Sequence, residues 1–135
     1  MAYWLLKTEP EDYSFDRLLR DGSTLWSGVR NHQAANNLKA MRPGDDAFFY
    51  RSVVEPAIVG LVRIAAAWVP DPTDPHWPAV EVVPVRPVPR EVPLKAIKAE
   101  PRLADLALVR QSRLSVVPVG EAHWRILLAM AGLDS

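Results

Sequence analysis

The sequence contains no cysteine, which removes disulfides, thiol nucleophiles and thiolate metal ligands together and fits a reducing compartment. Its three histidines, His32, His76 and His123, are scattered, without the spacing that seats a metal on one helix face. Neither a metal nor a cofactor is expected. Glycine is scarce, at six residues, and neither a phosphate-binding loop nor a dinucleotide fingerprint can be drawn. No serine sits in a Gly-x-Ser-x-Gly elbow. Charge falls early, at Lys7 and Glu9, so a secretory leader is not expected. No apolar run approaches the ~20 residues that span a bilayer. The expectation is a cytoplasmic protein without membrane contact. Net charge is missing too: 16 basic residues balance 16 acidic ones, which argues against tight, sequence-blind binding to long duplexes. The balance is uneven, because Arg86, Arg90, Lys95, Lys98, Arg102, Arg110, Arg113 and Arg125 face only Glu91, Glu100, Asp105 and Glu121 within residues 86–125. That excess reads equally as a polyanion-facing surface or as a solvated face.

What is present fits one domain over residues 1–135, large enough to bury roughly two-thirds of its unfolded surface without staples. Residues 3–7 suit a buried first strand, ended by Glu9 and Pro10. Ser14 caps a short helix through Leu19, stopped at Gly22. Asn31 caps a second helix with Ala34, Leu38 and Met41 on its inner stripe, and its amides on an outer face, before Pro43 and Gly44 end it. Residues 46–54 and 57–68 read as strands joined at Glu55 and Pro56. Residues 71–78 read as a proline-stiffened loop. Residues 79–88 return to strand character, with Pro84 and Pro87 requiring an edge or a bulge. Residues 95–109 are helical in pieces, broken at Pro101. A short strand over 114–119 lies near an edge because of Pro118. The last helix covers 120–130, with His123, Ile126, Leu127 and Met130 facing inward. Strands mixed with short helices, and no βαβ alternation, argue for an α+β fold with a small curved sheet or barrel.

One stretch stands out. Residues 26–41 place Trp26 before Gly28 and load the following helix with Asn31, Gln33, Asn36 and Asn37, amides that donate and accept but form helix poorly. Trp26 can stack on a nucleobase, or it can plug the core. Substitution by Ala separates these, costing at most about 2 kcal/mol of stability for a ligand platform and ~3–5 kcal/mol for a core Trp. Lys7, Thr8 and Glu9 form either a ligand-facing cluster or a screened surface pair; strand alternation brings Lys7 and Glu9 together and turns Thr8 away. Tyr50 shares a strand face with Phe48 and Ser52. Residues 110–115 offer Arg110, Gln111, Ser112, Arg113 and Ser115, suited to phosphate and base edges, or simply a polar turn.

These motifs together resemble the EVE domain family over essentially the whole chain: Tyr3-Trp-Leu-Leu-Lys-Thr-Glu-Pro10, Trp26-Ser-Gly-Val-Arg-Asn31, Gln33-Ala34, Asn36-Asn-Leu38, Gly44-Asp45, Phe49-Tyr50, Ile58-Val-Gly60, Pro70-Asp-Pro72 and Ser112-Arg-Leu-Ser-Val116. The resemblance implies a PUA-like small β-barrel of about five to six mixed strands with flanking helices, akin to YTH and ASCH domains. It implies a non-catalytic module that holds a modified or extruded base of DNA or RNA against an aromatic residue. Carried onto this chain, it places Trp26, Asn31, Lys7, Tyr50, Ser52, Ser112 and Ser115 at the base, while Arg30, Arg110 and Arg113 are expected at phosphate. A nucleic acid carrying a modified base is the expected partner, and a monomer the expected state. The chain departs from the family at Ala35, where relatives usually have Arg on the helix, and at Arg51, where they usually have His. The alternatives are an ASCH-like hydrolase of modified nucleosides and a module for a peptide or small ligand.

Overall fold

The first strand, β1 (Tyr3–Thr8), runs parallel to β3 (Asp46–Arg51) and antiparallel to β7 (Val116–Val119). A parallel neighbour needs a crossover. The crossover holds α1 (Phe15–Asp21), β2 (Thr24–Trp26) and α2 (His32–Ala40). β4 (Ala57–Ile64) returns antiparallel to β3 and pairs in turn with β6 (Asp74–Pro93), which carries β2 and the short β5 (Val69–Asp71). The main strand order is β2-β6-β4-β3-β1-β7. The computed structural model describes residues 2–133.

The curled sheet stops short of closure, and α2 packs across the gap against β7 and β6. The Asn37 side chain ties it there, donating to the Val116 carbonyl at 2.8 Å. Helices α3 (Leu94–Ala99), α4 (Ala107–Arg110) and α5 (Glu121–Met130) complete the flanks, with a single 3-10 turn at Pro101–Leu103. Strand alternation gives β3 two buried faces. Phe48 stacks on Trp124 of α5 at 4.1 Å, while Phe49 meets Phe15 of α1 at 5.2 Å and Trp26 at 5.6 Å, both edge-on. Gly60 opposes Phe49 on β4, and a side chain there would collide with the Phe15 ring.

The caps follow the sequence. Ser14 Oγ accepts from the Arg17 amide at 3.1 Å, Asn31 Oδ1 accepts from the Ala34 amide at 2.9 Å, and Ala34, Leu38 and Met41 are buried. Several expectations need correction. Residues 71–78 are mostly strand rather than loop, because Asp74 opens a 20-residue β6. That strand is interior, and its prolines are absorbed as bulges: the β4–β6 register shifts between Ile58 and Gly60 and between Leu61 and Val62, where Pro87 and Pro84 pair. β2 and β5, three residues each, were too short to show a period. Ala35 is buried, so this helix position does not face a phosphate, and Asn37 binds β7 rather than joining an outer amide face. In α5 the principal inward residue besides Leu127 is Trp124, whereas His123, Ile126 and Met130 are half-buried.

Of the eight basic residues over 86–125, three find acids within the segment, and its fourth acid, Glu91, is taken by Arg51 from outside it. Glu100, Asp105 and Glu121 bind Arg102, Arg110 and Arg125 at 2.8, 3.0 and 3.0 Å, and Glu91 binds Arg51 at 2.8 Å. Arg90 instead donates to the Met130 carbonyl at 2.9 Å.

Candidate functional site

The ends of β1 and β2, the segment after β2, the β3–β4 tip and the turn after α4 surround a cleft of 820 Å³. Seven of the ten residues expected at the ligand line it: Lys7, Trp26, Arg30, Ser52, Ser112, Arg113 and Ser115. Volume and mixed lining suit a ligand of base to nucleotide size.

Each wall has a local cause. Trp26 ends β2 opposite Val80 and is 8% exposed, with its ring edge-on to Phe49. It therefore packs in the core while keeping one margin on the cleft. After it, Gly28 takes φ 81°, the left-handed region where glycine carries no Cβ penalty. The turn aims the Gly28 amide at Asp71, whose Oδ2 accepts it at 2.8 Å. Asp71 is buried at 1% exposure and also accepts from the Thr73 amide at 2.8 Å, the Thr73 hydroxyl at 2.6 Å and Arg30 Nη1 at 3.0 Å. Burial pushes its carboxyl up, but these bonds stabilise the anion more strongly and hold it far below the usual carboxylate range.

Arg30 is thereby committed. Its guanidinium binds Asp71 and the Thr73 hydroxyl and lies 5.8 Å from the Trp77 ring. It builds the wall, with part of its donor set committed to Asp71 and Thr73 while its side chain stays 38% exposed on the cleft. Lys7 extends from β1 to the turn after α4, its Nζ donating to the Ser112 carbonyl at 3.0 Å while its amide donates to the Ser115 carbonyl. Burial lowers its pKa. Beneath it, Tyr50 is 2% exposed, 6.0 Å from Nζ, and does not line the cleft. Burial raises the Tyr50 phenol to about 12, so it stays protonated at neutral pH.

Asn31 and Arg110 lie in an adjoining 330 Å³ depression with Gln33, Gln111 and Leu114, sharing Ser112 and Arg113 with the main cleft. The Asn31 oxygen is occupied by capping, and Arg110 binds Asp105. Arg51 is turned away from the cleft, held by Glu91 and the tip carbonyls. Thr8 does join Lys7 and Glu9 on the cleft, against the alternation argument, because β1 ends at Thr8 and Glu9 already lies outside the strand. The sequence reading passed over Tyr13 and Arg17 at the start of α1, Asp12, Thr24 and Val53. Tyr13 lies just before the Ser14 cap and Arg17 in the first turn of α1, and the guanidinium lies 5.1 Å from the ring. Lys7, Arg17, Arg30 and Arg113 line the cleft with Glu9 and Asp12, but Arg30 is paired with buried Asp71 and Arg17 lies 3.7 Å from Asp21, which leaves Lys7 and Arg113 as its cations without an acidic partner among the described residues.

A family model for the EVE domain matches residues 2–130. The chain belongs to the EVE domain family. This EVE domain is 35% identical to thymocyte nuclear protein 1 of Gallus gallus, over 96% of this chain and 68% of that protein. Among solved structures, a protein of Agrobacterium tumefaciens is 40% identical with TM-score 0.97, covering 100% of this chain and 96% of that one. The crystal structure of human THYN1 in complex with 5-methylcytosine-containing DNA is 30% identical, with TM-score 0.92 and full coverage of both chains. A YTH domain of Zygosaccharomyces rouxii, at 13% identity and TM-score 0.64 over 99% of this chain and 88% of that one, shares the fold. The EVE domain is thus PUA-like, a curled half-barrel with flanking helices.

Proposed function

We propose that this EVE domain is a non-catalytic module that holds a modified or extruded base of a nucleic acid in the cleft beside Trp26. The observation that carries the reading is the human THYN1 complex with 5-methylcytosine DNA, to which this chain is similar over its full length. The cleft chemistry supports it. A base needs an apolar contact, edge partners and a nearby cation, and Trp26, the Ser52, Ser112 and Ser115 hydroxyls, and Lys7 with Arg113 supply them. Extrusion from a duplex costs a few kcal/mol. Because Trp26 offers only a margin of its ring, hydroxyl contacts of ~1 kcal/mol each must supply much of the return. Single strands and frayed ends therefore bind better than intact duplex.

Fluorescence polarisation with matched cytosine and 5-methylcytosine oligonucleotides tests this. The expected result is saturable binding that prefers the modified base. With Arg30 committed to Asp71, the free cations of the cleft are few, so log K should fall with log salt at a slope no steeper than about −2 on single strands. A steep slope and no base preference would reduce the domain to a non-specific polyanion binder. One observation favours the hydrolase alternative: Lys7, Thr8 and Glu9 all line the cleft, placing a cation, a hydroxyl and a carboxylate together. Incubation with acylated and alkylated nucleosides separates the two, since turnover overturns the binding-only reading.

A further inference from the structure

The β3–β4 tip combines features that its packing alone does not require. Val53 and Val54 are 70% and 55% exposed, more than any other large hydrophobic side chain among the described residues. Val53 holds φ at 70°, where a β-branched side chain is a genuine outlier. Exposure and strain both disfavour this arrangement in the free protein, and such strain persists only where the surroundings enforce it. Here they do. Arg51 Nε donates to the carbonyls of Val54 at 3.1 Å and Glu55 at 3.0 Å, Nη2 donates to Glu55 and to Glu91, each at 2.8 Å, and the Ser52 amide binds the Thr8 carbonyl at 2.9 Å. The tip is a clamped projection, and Arg51 is the clamp.

Val53 also lines the rim of the cleft. Valine offers no hydrogen bond, so it reads no base edge; it gains only by being covered. When a base leaves a duplex it leaves a gap beside its unpaired partner, and an apolar side chain entering the stack there keeps the helix from reclosing. We propose that Val53 is a duplex wedge, its isopropyl group filling the gap left by the base drawn into the cleft. This rests on the base-holding reading and adds a duplex to its substrates. Fixed projection suits the role, because a wedge must enter without first paying to order its loop.

The test compares wild type with Val53→Ala, Val53→Gly and Val54→Ala, using one 5-methylcytosine oligonucleotide as a single strand and as a duplex. Wild type should bind both forms. Val53→Ala and Val53→Gly should each weaken duplex binding about tenfold while leaving single-strand binding within about twofold. Val54→Ala should stay within about twofold on both. Melting curves control for folding, and Val53→Gly should melt no lower than wild type because it relieves the positive φ. Equal weakening on single strand and duplex would make Val53 a wall contact and overturn the wedge. So would unchanged duplex binding, an equal loss in Val54→Ala, or wild type binding single strands alone. If wild type binds neither modified form, the base-holding reading itself fails, and the wedge with it.

Discussion

Substituting Asp71 by Asn probes how the cleft wall is held. The carboxylate is 1% exposed and accepts four hydrogen bonds, from the Gly28 amide, the Thr73 amide and hydroxyl, and Arg30. An amide in its place keeps one accepting oxygen and turns a donor toward other donors. Removing one partner of a buried ion pair costs about 3–5 kcal/mol. The Arg30 side chain is 38% exposed and rehydrates when released, so the low end applies, about 3 kcal/mol. For a chain of this size that lowers Tm by roughly 10 °C. Arg30→Ala should cost less, about 1 kcal/mol, because the carboxylate keeps its other bonds. Acid titration adds a second axis. The folded pKa is depressed below the unfolded value of ~3.9, so the contribution is fully present above that value and is lost as pH falls toward the folded pKa. The gap between wild type and Asp71→Asn should therefore be widest near neutral pH and shrink below about pH 4. Thermal and urea melts at several pH values measure it. A shift of Tm under about 3 °C, or a gap that stays constant from neutral to acid pH, would refute the reasoning.

Trp26→Ala should lose ~3–5 kcal/mol in urea melts, because the ring is 8% exposed against Phe49; a loss below about 2 kcal/mol would restore the pure ligand-platform reading. Gly60→Ala should destabilise by at least ~1–3 kcal/mol, since the added methyl overlaps the Phe15 ring, and pairing it with Phe15→Leu should recover part of that in the same melts. Lys7 is held below the usual lysine range by burial. Deprotonation removes a cation, so oligonucleotide affinity should fall with rising pH before ordinary lysines titrate, and Lys7→Arg should remove that alkaline limb in polarisation titrations.

The caps, the inner stripe of α2 and the broken helix around Pro101 were legible in the sequence because they depend on neighbours within one or two turns. The prolines of β6 were half legible. Their demand for bulges was local, but the strand's interior place depends on β2 and β4, which come from distant sequence. Most of the residues that meet at the cleft were also visible as motifs, since Trp, Ser and Arg beside glycine are unusual choices. Their roles were not. Whether Arg30 is free or bound depends on Asp71, 41 positions away, and whether Arg51 faces the cleft or holds the β3–β4 tip depends on Glu91, 40 positions away.

By itself the sequence determined the class of fold, the family and the chemical character of the ligand-facing residues, because composition, period and ordered motifs are properties of the chain. Tertiary structure alone decided which side chains have spare hydrogen-bonding capacity. It tucked Trp26 into the core, spent Arg30 on a buried carboxylate, turned Arg51 into the clamp of the β3–β4 tip and brought Thr8 onto the cleft. The physical reason is that a polar group's availability is what remains after its neighbours in space are satisfied, and those neighbours are set by strand order and burial rather than by proximity along the chain.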